Sequence, residues 1–179
     1  MIVIENAMTQ HTLSTYTKRI VMLAMLCVLT ACGFTLRGSN ADANIPFKTI
    51  FIALPDTAPL GVELKRNIRS GNGTQVVRER KEAEAILEVL SESREKLVLS
   101  LNSQGRVREY ALNYRLRFRV VDNAGKEFLP ATDVLLKRDM SFSESKLLAK
   151  ESEEELLYRD MQIDIVQQIL RRLAAIHLN

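Results

Sequence analysis

The sequence predicts one α+β domain in which two helices cover one face of a roughly four-stranded, mainly antiparallel sheet. Three observations support this prediction: one long segment alternates strictly between apolar and polar residues, two segments have apolar residues at helical spacing, and turn-forming residues separate them. Apolar residues make up 46% and charged residues 26% of the 179-residue chain, which is the balance of a globular protein. We expect the domain to occupy residues 46–179.

The first strand and the first helix are predicted from short local patterns. Residues 49–54 (TIFIAL) are rich in β-branched side chains and are followed by a proline, so they predict a strand. Leu60, Leu64 and Ile68 recur at a spacing of four between basic residues, which predicts an amphipathic helix. The Gly-Asn-Gly sequence at 71–73 would end that helix.

Three further strands are predicted downstream. Residues 85–90 predict a strand, and this strand could resume after a charged stretch, where residues alternate at 97–101. The clearest strand is 110–121, because strict alternation over that length is typical of a half-buried antiparallel strand. Its apolar face would be formed by Tyr110, Leu112, Tyr114, Leu116, Phe118 and Val120. A last strand spans 134–142, where Arg138 interrupts the apolar face.

The chain is predicted to close with a long helix. Ser152, followed by Glu155 three residues later, has the spacing of a capping box, so the helix is expected to begin there. From Met161 onward an apolar stripe recurs at helical spacing. Arg171 and Arg172 lie at the other end of this helix, where positive charge interacts favourably with the helix dipole.

The first 31 residues are predicted to be a lipoprotein signal peptide. Lys18 and Arg19 precede ten apolar residues at 20–29, which are too few to span a bilayer as a helix. Residues 29–32 (Leu-Thr-Ala-Cys) then resemble a bacterial lipobox. A buried hydrophobic helix with an incidental cysteine is the alternative interpretation.

In a lipobox, a peptidase cuts before the cysteine, and the thiol sulfur carries a diacylglycerol. We therefore expect Cys32 to be the lipid-attachment residue and 32–45 to be the lipidated start and tether of the mature chain. Gly33 follows the cysteine. An aspartate there usually means retention in the inner membrane, so the glycine indicates the outer membrane.

Residues 32–38 (CGFTLRG) resemble the start of the LPS-assembly lipoprotein family LptE, also called RlpB. The predicted order of helices and strands is also that of the family, as are Glu109-Tyr110 and the Leu-Ala-Lys sequence at 148–150. The resemblance covers the whole mature chain.

Membership of this family implies an outer-membrane lipoprotein without a cofactor, anchored by its lipid and facing the periplasm and the interior of a β-barrel. The implied partners are the LptD-type barrel that translocates lipopolysaccharide, and lipopolysaccharide itself. The implied role is to plug the barrel, to assist its assembly and to bind lipopolysaccharide.

Three basic residues are candidates for lipopolysaccharide binding, since lipid A offers phosphates that cations recognise. Lys150 matches the basic residue of the family's Leu-Ala-Lys segment, where contact with lipopolysaccharide is implied. The family's second basic contact falls near Ser103, which has no charge. Arg106 and Arg108 are the candidates to replace it. Each of the three could instead be an ordinary solvated side chain.

A row of arginines lies on the polar face of the clearest strand. Arg115, Arg117 and Arg119 would be spaced about 6–7 Å apart. They could meet phosphates or acidic walls inside a barrel, or simply form a solvated sheet face. Nucleic acid is not an expected partner, because the net charge is only +3 and no aromatic platform accompanies the arginines.

An enzymatic role is not expected. His11 lies in the predicted signal peptide and His177 lies near the end of the chain, so neither suits acid–base catalysis or a metal site. The carboxylates of Glu151 and of 153–155 could in principle serve a glycosidase, but a helix start is the simpler interpretation. A structural accessory lipoprotein of another envelope assembly machine, without lipopolysaccharide binding, remains the alternative function.

Overall fold

The structure, a computed structural model, describes residues 45–71 and 73–178. The predicted signal peptide, Cys32 and the tether up to residue 44 lie outside these residues. The elements, in chain order, are β1 (Thr49–Ala53), α1 (Pro59–Ser70), β2 (Gln75–Val76), β3 (Ala85–Leu101), β4 (Val107–Val121), β5 (Glu127–Ser141) and α2 (Leu147–Ala174). Among the described residues, neither helix combines the length and apolar character needed to cross a bilayer.

The strands form one sheet in the order β2-β1-β3-β4-β5. β1 runs parallel to β2 and β3, whereas β3, β4 and β5 pair antiparallel. The α+β class and the mainly antiparallel sheet are therefore confirmed, with five strands rather than about four. The unpredicted strand is β2, whose two residues are too few to show a periodic pattern.

Both helices pack on one face of the sheet, as predicted. Five apolar side chains of β4 are completely buried there: Leu112, Tyr114, Leu116, Phe118 and Val120. From α1, Leu60, Leu64 and Ile68 are at most 2% exposed and join the same core. The apolar stripe of α2 completes it. Each such Leu or Ile side chain contributes about 1.5–3 kcal/mol on burial, so this layer is the main source of stability.

A second, smaller apolar cluster lies on the other face of the sheet, at its parallel end. Ala83, Ile86 and Val121 are buried there, and Phe51 and Val77 pack against them. Further along, this face is lined by polar and charged residues, including Arg115 and Arg117. In the described part of the chain, this second face therefore buries apolar side chains near β1 and is polar further along.

The expected start of the last helix is wrong. Helix α2 begins at Leu147, and Ser152 lies inside it, where its hydroxyl donates a hydrogen bond to the Leu148 carbonyl at 3.1 Å. Residues 147–150 (Leu-Leu-Ala-Lys) favour helix more strongly than a serine does, so the helix extends a full turn beyond the local capping pattern. Arg171 and Arg172 lie in its last turn, as predicted.

β3 runs unbroken through the charged stretch that separates its two apolar parts. A register shift between Val89 and Ser91 changes which residues face the helices beyond that point. Glu92 and Arg94 consequently face the helix side, opposite Leu116 and Tyr114 of β4. Pairing with β4 along almost the whole length holds this polar segment in the sheet.

Candidate functional site

The three predicted basic residues lie at one end of the sheet, where β3 and β5 end and β4 and α2 begin. We call this region, residues 97–110 and 140–150, the distal end. The turn between β3 and β4 is fixed by Asn102, whose side-chain oxygen accepts hydrogen bonds from the backbone N–H groups of Gln104 and Arg106 at 3.0 and 2.9 Å. Gly105 adopts φ +74° there, a conformation that glycine tolerates best.

Arg106 and Arg108 are exposed cations on either side of the point where β4 begins. The Arg106 side chain is 60% exposed, and its guanidinium lies 3.7 Å from the carboxylate of Glu144. The Arg108 guanidinium makes no hydrogen bond or ion pair within the described residues. Its backbone carbonyl accepts a hydrogen bond from the Phe142 N–H at 2.8 Å, which ties β4 to the connection between β5 and α2.

Lys150 has a different environment, because its ammonium group is already engaged. The side chain is only 15% exposed. Its Nζ donates hydrogen bonds to Ser141 Oγ at 3.0 Å and to Glu153 Oε2 at 2.7 Å. Lys150 therefore joins the first turns of α2 to the end of β5.

All three predicted residues contact the end of β5 or the connection to α2: Lys150 reaches Ser141 and Arg106 lies near Glu144, whereas Arg108 is bonded to Phe142 only through its backbone. Lys146 in that connection is a further exposed cation that the sequence reasoning missed. It makes no side-chain ion pair or hydrogen bond in the described part of the chain. The sequence indicates Lys146 as a candidate only by its position, four residues before Lys150.

The distal end also exposes apolar surface. Five large side chains there are about half exposed or more: Leu97 at 51%, Val98 at 54%, Leu101 at 57%, Leu147 at 49% and Leu148 at 78%. Tyr110 and Phe142 pack edge to face with ring centroids 5.2 Å apart, and the Lys96 ammonium lies 4.4 Å from the Tyr110 centroid. Exposed cations beside exposed leucines are suited to a ligand with anionic and apolar parts.

The chain is similar in sequence and in fold to known proteins. The sequence profile of the family LptE, lipopolysaccharide-assembly, matches residues 47–173. The chain belongs to the LptE family.

Two relatives named LPS-assembly lipoprotein LptE are similar to this LptE-family chain. The one from Yersinia enterocolitica is 26% identical over 162 residues, covering 89% of this chain and 77% of the relative. The one from Photorhabdus laumondii is 25% identical over 160 residues, covering 87% and 85%.

Two solved structures share the fold of this LptE-family chain. The solution NMR structure of an uncharacterized lipoprotein B from Nitrosomonas europaea is 40% identical, with a TM-score of 0.68, and the match covers 80% of this chain and 91% of that one. The crystal structure of the rare lipoprotein B from Shewanella oneidensis is 28% identical, with a TM-score of 0.62, covering 71% and 94%.

Between the distal end and the core, a polar network connects β3 to α2 of the LptE-family domain. The Arg94 guanidinium lies 4.7 Å from the Tyr114 ring centroid and donates a hydrogen bond to Gln162 Oε1 at 3.0 Å. The Tyr114 hydroxyl donates to a carboxylate oxygen of Glu92. Burial, together with the bond to Glu92, raises the pKa of Tyr114 to about 12. The network holds the long helix against the sheet.

The arginine row on the opposite sheet face is only partly paired. Arg119 lies 2.8 Å from Glu88 and 3.6 Å from Glu127. Desolvation raises the pKa of the Glu88 carboxyl, but hydrogen bonds from Arg119 and Arg80 outweigh it and hold the pKa below its ordinary value. Arg115 and Arg117 are exposed, and neither guanidinium has an ion pair or hydrogen bond to another described residue.

No cluster of three or more His, Cys, Asp and Glu side chains that could hold a metal ion occurs in the described ranges. The Glu151 and 153–155 cluster lies in the second and third turns of α2. There, the Glu154 carboxylate forms an ion pair with Lys96 of β3. The cluster thus includes contacts that fasten the helix to the sheet.

Proposed function

We propose that this chain is an outer-membrane lipoprotein of the lipopolysaccharide transport and assembly complex. It acts as plug and assembly partner of the LptD-type β-barrel that translocates lipopolysaccharide, and it binds lipopolysaccharide itself. The role is non-enzymatic: the chain works by binding and by occupying the barrel. Its membership of the LptE family, and relatives named LPS-assembly lipoprotein, support this proposal.

The anchor is proposed from the sequence. The signal peptide of residues 1–31 is removed, Cys32 receives the lipid, and the tether up to residue 45 leads to the domain of residues 46–179. Each buried methylene contributes about 0.8 kcal/mol, so several acyl chains hold a protein firmly on a membrane. The anchored domain faces the periplasm and the barrel interior.

The observation that supports lipopolysaccharide binding best is that weakly paired or unpaired arginines and exposed leucines occur together at the distal end. The ion pair between Arg106 and Glu144 is long and exposed, and pairs of this kind contribute about 0–1 kcal/mol, so a phosphate can displace it. The Arg108 guanidinium has no ion pair within the described residues, so a phosphate can bind it without displacing a carboxylate. Arginine also presents several donors in a planar fork that matches a phosphate.

Lys150 can contact a phosphate only by exchanging its present ion pair with Glu153 for one with the phosphate. Its ammonium must release Glu153, whose side chain is 45% exposed and can be solvated by water, before it contacts a phosphate. The lysine therefore has both a structural and a binding role in the proposal. The two roles are separable by experiment, because only the binding role depends on lipopolysaccharide.

The test is lipopolysaccharide binding to the purified chain in mild detergent at fixed salt. Arg106→Gln combined with Arg108→Gln is expected to weaken binding roughly tenfold, since each lost exposed ion pair contributes up to about 1 kcal/mol. The matched control is Arg115→Gln with Arg117→Gln, which removes the same charge from β4 outside the distal end. Equal losses in both double variants, or no loss in the first, would contradict the proposed site.

Lys150→Gln tests the third cation. Binding is expected to weaken, and the free energy of unfolding is expected to fall by about 1 kcal/mol because the bonds to Ser141 and Glu153 are lost. A fall in stability with unchanged affinity would remove Lys150 from the binding site and leave it a purely structural residue.

A further inference from the structure

A cleft lies at the β2 edge of the sheet, away from the distal end. It has a volume of about 660 Å³ and opens between α1 and the carboxyl ends of β1 and β2. Its apolar wall includes Leu54, Val62 and Val77. Its basic wall consists of Lys65, Arg69 and Arg78.

The β1–α1–β2 connection explains why a cleft forms there. Two parallel strands joined through a helix leave a crevice outside their carboxyl ends, which is a common ligand position in parallel sheets. Helix α1 directs Leu60, Leu64 and Ile68 into the core. The neighbouring face, with Val62, Lys65 and Arg69 at spacings of three and four, is then left to line the crevice.

The charges in the cleft are unbalanced. The Lys65 side chain is 15% exposed, and its Nζ lies 2.6 Å from Asp56 Oδ1, on an aspartate whose side chain is 96% exposed. The hydrogen bond from Lys65 lowers the pKa of the Asp56 carboxyl, and the charges of Arg78 and Arg69 lower it further. Arg69 and Arg78 line the same cleft as Asp56, yet neither forms an ion pair or hydrogen bond with any described residue.

Three cations therefore face a single, fully solvated carboxylate. An incoming anion can displace Asp56 at little cost, since ion pairs with a solvated partner contribute little to stability. The same anion would also form ion pairs with Arg69 and Arg78, which are unpaired within the described residues. Val62, which is 50% exposed, offers apolar contact beside them.

We infer that this cleft binds an organic anion with one phosphate or carboxylate group and a compact apolar part. The volume lies within the range of about 300–1,000 Å³ that is typical of small-ligand sites. A soluble phosphate ester and a lipid headgroup share this chemistry. The site is separate from the distal end proposed for lipopolysaccharide.

The test is calorimetric titration of the full lipidated chain in phosphatidylcholine nanodiscs. Phenyl phosphate supplies anion and apolar part, and inorganic phosphate supplies the anion alone. Phenyl phosphate is expected to bind at least several-fold more tightly than inorganic phosphate. Dihexanoyl phosphatidic acid distinguishes the sources: tighter binding than phenyl phosphate identifies a lipid headgroup, and weaker binding identifies a soluble ester.

Arg69→Gln with Arg78→Gln is expected to weaken phenyl phosphate binding roughly tenfold. The matched control is Arg66→Gln with Lys81→Gln, because both side chains are more than 70% exposed, pair with nearby glutamates and lie outside the cleft. The control is expected to bind as the parent does. Absence of phenyl phosphate binding, equal affinity for inorganic phosphate, or equal loss in both double variants would overturn the inference.

Discussion

The buried hydroxyl of Tyr114 makes the stability of the domain depend on pH in a calculable way. Tyr114 is completely buried, and its hydroxyl lies between Glu92 and Arg94. Its pKa is raised from 10.0 to about 12, mainly because burial penalises the charged phenolate. The unfolded chain releases this proton near pH 10, whereas the folded domain retains it until about pH 12. The stability that the raised Tyr114 pKa contributes is therefore fully present below pH 10 and is lost between pH 10 and 12.

A shift of two pKa units corresponds to about 2.7 kcal/mol, of which about 1.4 kcal/mol is lost by pH 11. In Tyr114→Phe this loss cannot occur. At pH 8 the variant is expected to be about 1–2 kcal/mol less stable than the parent, because the hydrogen bonds to Glu92 and Arg94 are missing. At pH 11 the difference between variant and parent is expected to shrink by about 1.4 kcal/mol.

The measurement is urea unfolding of residues 45–179, followed by circular dichroism at pH 8, 9.5 and 11. Tyr110→Phe is the matched control, because Tyr110 lies on the same strand and face and its hydroxyl makes no hydrogen bond within the described residues. The control's difference from the parent is expected to stay constant with pH. If the Tyr114→Phe difference also stays constant from pH 8 to pH 11, the reasoning is refuted.

Three further experiments test the anchor, the core and the sheet face. Cys32→Ser is expected to leave the precursor uncut by the lipoprotein peptidase, seen as a larger protein on a gel; normal processing would contradict the lipobox. Leu64→Ala is expected to cost about 2–5 kcal/mol of unfolding free energy, against less than about 0.5 kcal/mol for Val62→Ala on the exposed side of the helix, and similar losses would contradict the assigned core face. Arg115→Glu with Arg117→Glu is expected to reduce co-purification of the barrel without unfolding the domain, since both guanidinium groups lack described partners; unchanged recovery would leave these arginines as a solvated face.

Periodic patterns account for the part of the fold that could be predicted. The alternation in β4 and the apolar stripe of α1 each repeat often enough to define a buried face, and Leu116 and Leu64 are both completely buried. β2 could not be predicted in this way, because its two residues form a strand only through pairing with Thr49 and Ile50 of β1. The start of α2 was misplaced because the capping pattern at Ser152 is local, whereas contacts such as Lys150 to Ser141 connect separate elements.

The candidate site was predicted in its residue types but not in their environments. The sequence singled out Arg106, Arg108 and Lys150, and the turn fixed by Asn102 brings the two arginines to the same end of the sheet as the lysine. That Lys150 is engaged by Ser141 and Glu153 depends on how α2 meets β5, which no local pattern encodes. The cleft beside α1 could not be predicted for the same reason: the sequence indicates Lys65 and Arg69 only as basic residues of an amphipathic helix, and Arg78 belongs to no predicted element.

The most direct test of the proposed role is to isolate the tagged, lipidated chain from its own outer membrane in mild detergent. The proteins that accompany it would then be identified, in a detergent already known to preserve a membrane complex. The proposal predicts a stoichiometric LptD-type barrel together with lipopolysaccharide. Recovery of a different assembly machine, or of the lipoprotein alone, would contradict it.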